Sequence, residues 1–394
     1  MLETLVRGLQ TGGFQAVVML RGEGRFPERM RALGAEVAPL EVPHGRPLYH
    51  RIAGRTWPSP PGFLTSAAAA PLAIRAYSRL FQVHRLDVAY LAHPLSHVLG
   101  GLGARLAGVP AVCHLQGVVR GGRSRPVLPA YRAACAVAGC TMVAISQAVA
   151  DALGPVGGRL AVVIPNGVDT GRFRPLPPDP ARFASLGLPL AGGPIVGLLG
   201  TLEPIKRVHL LPRLAARVLR ERPDARFLVV GADPGDPSEA APGAPGSHPS
   251  PYVRRVLDGL RQAGVADRVV LAGRRDDVPG LLAGMDVLVH LCDREGFGLA
   301  LAEAGAAGVP VVAFGAAGAG EVVQDGRTGL LVPDPSDVDA LAGRLLHLLA
   351  DGDARQALGE AARLRVRERF SEEAFVAAFC RLFGDLAAAR GGRR

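Results

Sequence analysis

The strongest constraint on this chain is an alternation that runs through it twice. Short, continuously apolar stretches are separated by segments of helical period. In the first half the apolar stretches read FQAVVML (14–20), DVAYLA (87–92), PAVCHL (110–115) and TMVAIS (141–146). In the second half they read IVGLLG (195–200), RFLVVG (226–231), RVVLAG (268–273), DVLVHL (286–291) and PVVAF (310–314). A strand with no polar face must be covered on both sides, which occurs when helices flank a parallel sheet. Segments such as PRLAARVLRER (212–222) and VRRVLDGLRQAG (253–264) supply the helices. The pattern predicts an α/β protein with two Rossmann-like domains, 1–178 and 190–370. The Pro- and Gly-rich stretch 172–194 reads as the linker. With 394 residues, 48% of them hydrophobic, the chain can bury two cores.

Two stretches depart from the alternation. MLETLVRGL sets Leu2, Leu5, Val6 and Leu9 at helical spacing, so the described sequence opens on a helix. The expectation is an N-terminal domain lacking its first strand, which a doubly wound sheet normally places in the middle. GADPGDPSEAAPGAPGSHPS (231–250) follows a strand and reads as a loop at that strand's C-terminal edge.

Charge is divided unevenly. Residues 1–178 hold 19 Arg against 8 Asp and Glu, or +11, whereas the remainder holds 26 Lys and Arg against 27 acids, or −1. Such a half suits an anionic membrane surface or a phosphorylated acceptor. It does not suit nucleic acid, because the arginines are dispersed and no aromatic-rich binding motif accompanies them. The five cysteines, at 113, 135, 140, 292 and 380, form no CxxC pair. That matches thiols in a reducing compartment and no metal site. The small-residue run TSAAAAPLAI (65–74) stops at Arg75, short of a membrane span. The expected location is therefore cytoplasmic, with peripheral contact on the inner face of the membrane.

The densest signal is REGFGLALAEAGAAGVPVVAF (294–314), directly after the strand DVLVHL. Glu295, Gly296, Phe297 and Gly298 predict a tight loop, with a helix beginning near Leu299. Glycines admit a ligand close to the backbone, and a helix N-terminus presents unpaired N–H groups at its positive end. This is a seat for phosphate or diphosphate. Glu303 follows Gly298 by five residues, about 7.5 Å along a helix axis. Glu295 and Glu303 can thus address two ends of one ligand. One further residue stands out: of 45 Lys and Arg residues only Lys206, in GTLEPIK (200–206), is lysine.

These residues carry a resemblance. Glu-Gly-Phe-Gly-Leu, a second Glu eight residues after the first, then Ala-x-Gly-x-Pro-Val-Val, resemble family 4 of the retaining glycosyltransferases. IPNGVD (164–169) with Phe173, GRRDDVPGLLAGMDVLVH (273–290) and GEVVQDGRTGLLVPDPSDVDAL (320–341) resemble further family segments in the same order. The resemblance implies the GT-B architecture, two Rossmann-like domains facing across a cleft, with a C-terminal helix (372–388) packing back on the first. It implies a nucleotide-sugar donor, UDP- or GDP-linked, and no metal or other cofactor. It implies that Glu295 holds donor-sugar hydroxyls and Glu303 the ribose, while Gly296, Phe297, Gly298 and Leu299 surround sugar and phosphate. Lys206 falls where the family's Gly-Arg-Leu-x-x-x-Lys places a diphosphate-holding lysine, and Thr201 replaces the arginine. A hydroxyl there donates one hydrogen bond but no charge, and neighbouring Arg207 is a candidate supplement.

On the acceptor side, His114 and Gln116 should share a strand face, with His114 the candidate catalytic histidine and a core histidine the other reading. Arg120 and Arg123 follow that strand and are candidates for an acceptor phosphate. The implied activity is transfer of a sugar to an acceptor hydroxyl in polysaccharide or glycolipid synthesis, the acceptor being a sugar or a lipid-linked one. A non-catalytic sugar-nucleotide-binding protein, or an inactive truncated paralogue, is the alternative, favoured by Thr201, Gln116 and the missing strand.

Overall fold

The computed structural model describes residues 1–22, 24–43, 49–52, 55–58, 60–117, 127–236, 242 and 246–391. Contacts divide the chain into two units, Met1–Pro165 with Phe375–Arg394, and Asn166–Ala374.

The first unit runs α1 (Leu2–Thr11), β1 (Val17–Leu20), α2 (Arg25–Ala32), β2 (Glu36–Pro39), β3 (Tyr49–Ile52), β4 (Arg55–Pro58), α3 (Pro60–Val83), β5 (Ala89–Leu91), α4 (Pro94–Ala107), β6 (Ala111–Leu115), α5 (Val127–Ala138), β7 (Thr141–Ala144), α6 (Gln147–Leu153) and β8 (Val162–Val163). Strands β5, β6, β7 and β8 form one parallel sheet in that order. Strands β1 and β2 pair in parallel as a separate two-stranded sheet, and β3 and β4 form an antiparallel hairpin.

The second unit runs α7 (Pro180–Ser185), β9 (Ile195–Leu199), α8 (Leu211–Leu219), β10 (Arg226–Val230), α9 (Pro251–Gln262), β11 (Val269–Leu271), α10 (Val278–Leu282), β12 (Val287–His290), α11 (Leu299–Ala306), β13 (Val311–Phe314), α12 (Ala319–Val322), β14 (Leu330–Val332), α13 (Val338–Ala350) and α14 (Gly352–Arg369). Its six strands, in the order β11-β10-β9-β12-β13-β14, pair in parallel throughout. The chain moves outward from β9 to β11, then returns to β12 on the other side. The strand order therefore reverses between β9 and β12, and in such sheets ligands bind beyond the carboxyl ends of the strands at that point. The core follows the apolar runs: Val196, Phe227, Val287, Val312 and Phe314 on the strands bury against Leu211, Leu214, Leu341 and Leu345 on the helices.

The boundary between units differs from the one read in the sequence. Residues 172–194 hold a short helix rather than a free linker. Asp179 caps α7 by accepting from the amides of Ala181 and Arg182. Phe183 is fully buried, with its ring against Gly284, and Arg182 pairs with Asp277 at 3.2 Å. Upstream, the Val168 amide donates to the Phe370 carbonyl and the Glu372 amide to the Val168 carbonyl. Buried side chains and backbone pairing thus tie residues 166–194 to the second unit.

The final helix, α15 (Glu372–Gly391), crosses back to the first unit. Phe375, Phe379 and Phe383 recur every four residues, so they share one face. They bury against Leu5, Leu9, Val112, Val143 and Ile164. Helices α1 and α15 touch so closely that a Cβ on Gly8 would lie 2.4 Å from a Val376 methyl. Phe379 is fully buried, its ring centroid 5.2 Å from that of His114 and 5.8 Å from that of Tyr90. Phe379→Ala empties the centre of this cluster and should cost about 3–5 kcal/mol. Denaturant titration of the first unit's unfolding checks it, and a cost below about 1 kcal/mol would contradict this packing.

Candidate functional site

The switch point of the second sheet brings two sequence-distant loops together. The loop after β9 enters a 3-10 turn, Pro204–Lys206, and Lys206 lies alongside Gly200. The loop after β12 carries Glu295. Lys206 Nζ donates to Glu295 Oε2 at 2.6 Å, and His290 Nε2 donates to the same oxygen at 3.0 Å. The Glu295 side chain is largely enclosed, at 13% exposure. Burial alone would raise its pKa, but His290 and Lys206 together hold it down at about 2. The carboxylate is therefore ionised at any pH where the protein works, and both of its neighbours donate to it.

His290 is the residue that sequence reading passed over. It closes β12 and is buried among its apolar neighbours. The available signal was a lone imidazole ending an otherwise aliphatic strand, five residues ahead of the loop glutamate. Cys292 is buried beside it, and burial raises its thiol pKa. Ligand atoms of His290, Cys292 and Glu295 lie within 4.8 Å of one another. A nitrogen, a sulfur and an oxygen so grouped could take a soft divalent ion, but here the Lys206 ammonium supplies the positive charge on Glu295.

Gly298 caps α11 at φ +99°, where a Cβ would strike Leu301 at 2.8 Å. Only glycine is comfortable there. The loop is also clamped from the other side. The Gly318 amide donates to the Glu295 carbonyl at 2.9 Å, and a Cβ on Gly318 would sit 2.4 Å from the Gly296 carbonyl oxygen. The Phe297 ring turns inward against Phe370, with centroids 5.4 Å apart, which anchors the loop in the core. Leu299 opens the helix and is exposed. The first amides of α11 have no partner within the helix, as at any helix start.

Glu303 lies within α11, largely buried, and burial pushes its pKa up to about 7 although the Arg172 charge opposes this. Arg172 is fixed by donating to the Asp276 carbonyl at 3.0 Å. Thr201 is exposed and its hydroxyl donates to Glu203 Oε2 at 2.9 Å. Arg207, the candidate supplement, lies beside the same loop. It sits over the Phe314 ring at 5.4 Å and pairs with Asp293 at 3.5 Å.

In the first unit, His114 and Gln116 do share a face, and both meet the Tyr90 hydroxyl. Gln116 is exposed. His114 is fully buried against Phe379 and Tyr90, and burial lowers its pKa to about 4, so the ring is neutral. Neither ring nitrogen is exposed, as the core reading of this histidine expects, and its Nε2 is buried without a hydrogen-bond partner among the described residues. His97, also buried, lies 3.0 Å from the Leu91 carbonyl through Nε2. Arg120 and Arg123 lie outside the described residues.

Comparison with known proteins agrees with this geometry. Residues 188–365 match the family model described as glycosyl transferases group 1, and residues 1–172 that of Glycosyltransferase Family 4. A GDP-mannose-dependent alpha-(1-6)-phosphatidylinositol monomannoside mannosyltransferase of Mycobacterium tuberculosis is 35% identical over 225 residues, 54% of this chain and 52% of that protein. The N-acetyl-alpha-D-glucosaminyl L-malate synthase of Bacillus anthracis is 30% identical over 188 residues, 48% of this chain and 44% of that protein. The chain thus spans about half the length of the curated relatives it matches. Among solved structures, Anabaena HepE in complex with UDP and glucose aligns with a TM-score of 0.76 at 24% identity, covering 97% of this chain and 95% of that one. Sucrose-phosphate synthase from Thermosynechococcus elongatus aligns at 0.74 and 22%, covering 98% and 92%. At these identities the likeness concerns the fold.

The raised pKa of Glu303 predicts a pH dependence of stability. In the unfolded chain this carboxyl ionises near the ordinary glutamate value of 4.5, whereas in the fold it keeps its proton until about 7. The native state therefore binds the extra proton, and stability should fall as pH rises from about 5 to about 8. Glu303→Gln should flatten that fall and make the variant the more stable of the two above pH 8. Denaturant midpoints measured across this range check it, and parallel profiles would contradict it.

Proposed function

This chain belongs to family 4 of the GT-B glycosyltransferases, and on that premise we propose that it moves a sugar from a UDP- or GDP-linked donor to an acceptor hydroxyl with retention of anomeric configuration. The observation that carries the reading is the Lys206–Glu295–His290 cluster at the switch point between β9 and β12. A nucleotide sugar laid there presents its diphosphate to the Lys206 ammonium and the first amides of α11. Lys206 exchanges one anionic partner, Glu295, for another, and Glu295 becomes free to accept from donor-sugar hydroxyls. His290 continues to orient that carboxylate. Glu303 receives the ribose hydroxyls, which its carboxyl can meet in either protonation state.

In the step itself, the bond from the anomeric carbon to the diphosphate oxygen breaks and a bond to the acceptor oxygen forms on the same face. The acceptor's proton passes to the leaving phosphate oxygen. Positive groups that stabilise the departing charge lower this barrier, and they are supplied here by lysine and backbone. We assign no metal or other cofactor to the reaction.

The named activity of the Mycobacterium tuberculosis relative supports a lipid-linked acceptor and a role in glycolipid synthesis, and that of the Bacillus anthracis relative a small acceptor. The arginine excess of residues 1–178 supports peripheral contact with an anionic inner membrane face from the cytoplasm. Among the described residues no helix is long and apolar enough to cross a membrane. A second reading, a sugar-nucleotide-binding protein without turnover, is favoured by one observation: Thr201 brings no charge to the diphosphate side. Calorimetry with UDP- and GDP-sugars, paired with an assay of released nucleotide diphosphate, separates the two.

Glu295→Gln should lower turnover by about 10²–10³-fold with little change in melting temperature. Lys206→Ala should weaken donor binding as well as turnover. Steady-state kinetics on both variants check this, and wild-type activity in either would refute its role.

A further inference from the structure

The end of β12 and the loop after it gather a nitrogen, a sulfur and an oxygen ligand in one recess. His290 is the last residue of β12, Cys292 follows two residues on, and Glu295 three further. The His290 imidazole, the Cys292 thiol and the Glu295 carboxylate each bring one ligand atom, and these lie within 4.8 Å of one another. Around a tetrahedral ion with bonds of about 2.0–2.3 Å, ligand atoms stand roughly 3.5 Å apart, so shifts of about an ångström draw all three onto one centre. His290 and Cys292 are buried and Glu295 is largely enclosed. The recess is also stiff, because the Gly318 amide holds the Glu295 carbonyl and the buried Phe297 ring anchors the loop. The lack of a CxxC pair, from which no metal site was expected, says nothing of such a mixed set. Its pattern is His-x-Cys-x-x-Glu (290–295), with one thiol.

We infer that this recess is the seat of a single zinc ion, held by His290, Cys292 and Glu295, whose binding closes the donor site. The donor set selects the ion: thiolate and imidazole suit zinc, whereas magnesium and calcium take oxygen ligands. Thiolate and carboxylate together cancel the ion's charge, so the enclosed group is neutral as a whole. On coordination the Cys292 thiol releases its proton to solvent. The His290 ring keeps one proton, on Nδ1, and binds through Nε2. The ion and the Lys206 ammonium compete for one carboxylate, since Nζ lies 2.6 Å from Glu295 Oε2. Lys206 can yield, because its side chain is 27% exposed and its stem is flexible. With zinc in place Glu295 no longer accepts from donor-sugar hydroxyls, so zinc and a nucleotide sugar exclude one another. The ion takes no part in the transfer step. The seat rests on its own geometry, and the effect on transfer rests on the proposed role of Glu295 toward the donor sugar.

The test uses the full chain, freed of metal with a chelator. Cobalt(II) serves as a coloured stand-in for zinc, and a thiolate ligand shows as a sulfur-to-cobalt charge-transfer band in the near ultraviolet. The expected result is such a band at one equivalent of cobalt, bleached by zinc and absent from Cys292→Ser. Cys292→Ala guards against a serine that disturbs the buried position. In the transfer assay, zinc should raise the apparent KM for the nucleotide sugar by about tenfold or more with kcat unchanged. Magnesium at the same concentration should have no such effect. Cys292→Ser should keep its metal-free turnover and lose the sensitivity to zinc. Calorimetry of nucleotide-sugar binding, with and without zinc, gives the same answer where turnover is slow. No band, or a band that survives in both Cys292 variants, would overturn the seat. A band with nucleotide-sugar binding and KM undisturbed by zinc would overturn the closure. If the donor role is wrong, the metal-free protein binds no nucleotide sugar; closure then falls with it, while the cobalt band still decides the seat.

Discussion

A glutamate carboxylate that is largely enclosed, yet ionised, organises this molecule's chemistry. Enclosing a charge is costly unless partners compensate. Glu295 meets that cost with two donors on one oxygen, Lys206 from the loop after β9 and His290 from the end of β12. Because the two partners come from strands on either side of the switch point, the ion pair also ties those loops together. It holds the lysine at the switch point. The same arrangement keeps the carboxylate poised, since its pKa lies far below neutral. Glu303 shows the contrast. It is enclosed, the Arg172 charge opposes the effect of burial without cancelling it, and its pKa rises to about 7.

The support for that cluster is backbone geometry rather than further side-chain charge. A left-handed Gly298 starts α11, the Gly318 amide clamps the Glu295 carbonyl, and Phe297 anchors the loop through Phe370. The two residues that hold this loop from outside, Gly318 and Phe370, lie in different segments of the second unit. A ligand at the switch point therefore meets a preformed seat, and this is what a reaction depending on electrostatic stabilisation requires. The first unit is built to the same pattern and closed by α15, whose phenylalanines reach the sheet beneath α1. There the sheet is divided, β1 and β2 pairing apart from the run β5-β6-β7-β8.

Much of this was legible in the sequence because the signals were strong. Uninterrupted apolar runs announce parallel strands, and Glu-Gly-Phe-Gly before a small-residue helix announces a backbone seat for an anion. The single lysine was legible because it stood alone in an arginine-rich chain. Other features were not. The short strands Glu36–Pro39 and Leu330–Val332 carry too few residues for periodicity to register. His290 was hidden by its place at the end of an aliphatic strand, since a histidine there reads as core until its partner is seen. For His114 the sequence left a catalytic and a core reading open, and its burial against the ring of Phe379, far away in sequence, was not legible there. The stretch 172–194 looked like a linker because its prolines and glycines outnumber its buried residues, Phe173, Phe183 and Leu188.

The central claim is that a diphosphate is gripped at the switch point by Lys206 and the first amides of α11. A crystal structure of the protein soaked with a non-hydrolysable UDP- or GDP-sugar tests it most directly. The account predicts a diphosphate oxygen about 3 Å from Lys206 Nζ, with Glu295 turned to the sugar hydroxyls. A nucleotide bound away from β9 and β12, with the Lys206–Glu295 pair undisturbed, would contradict it.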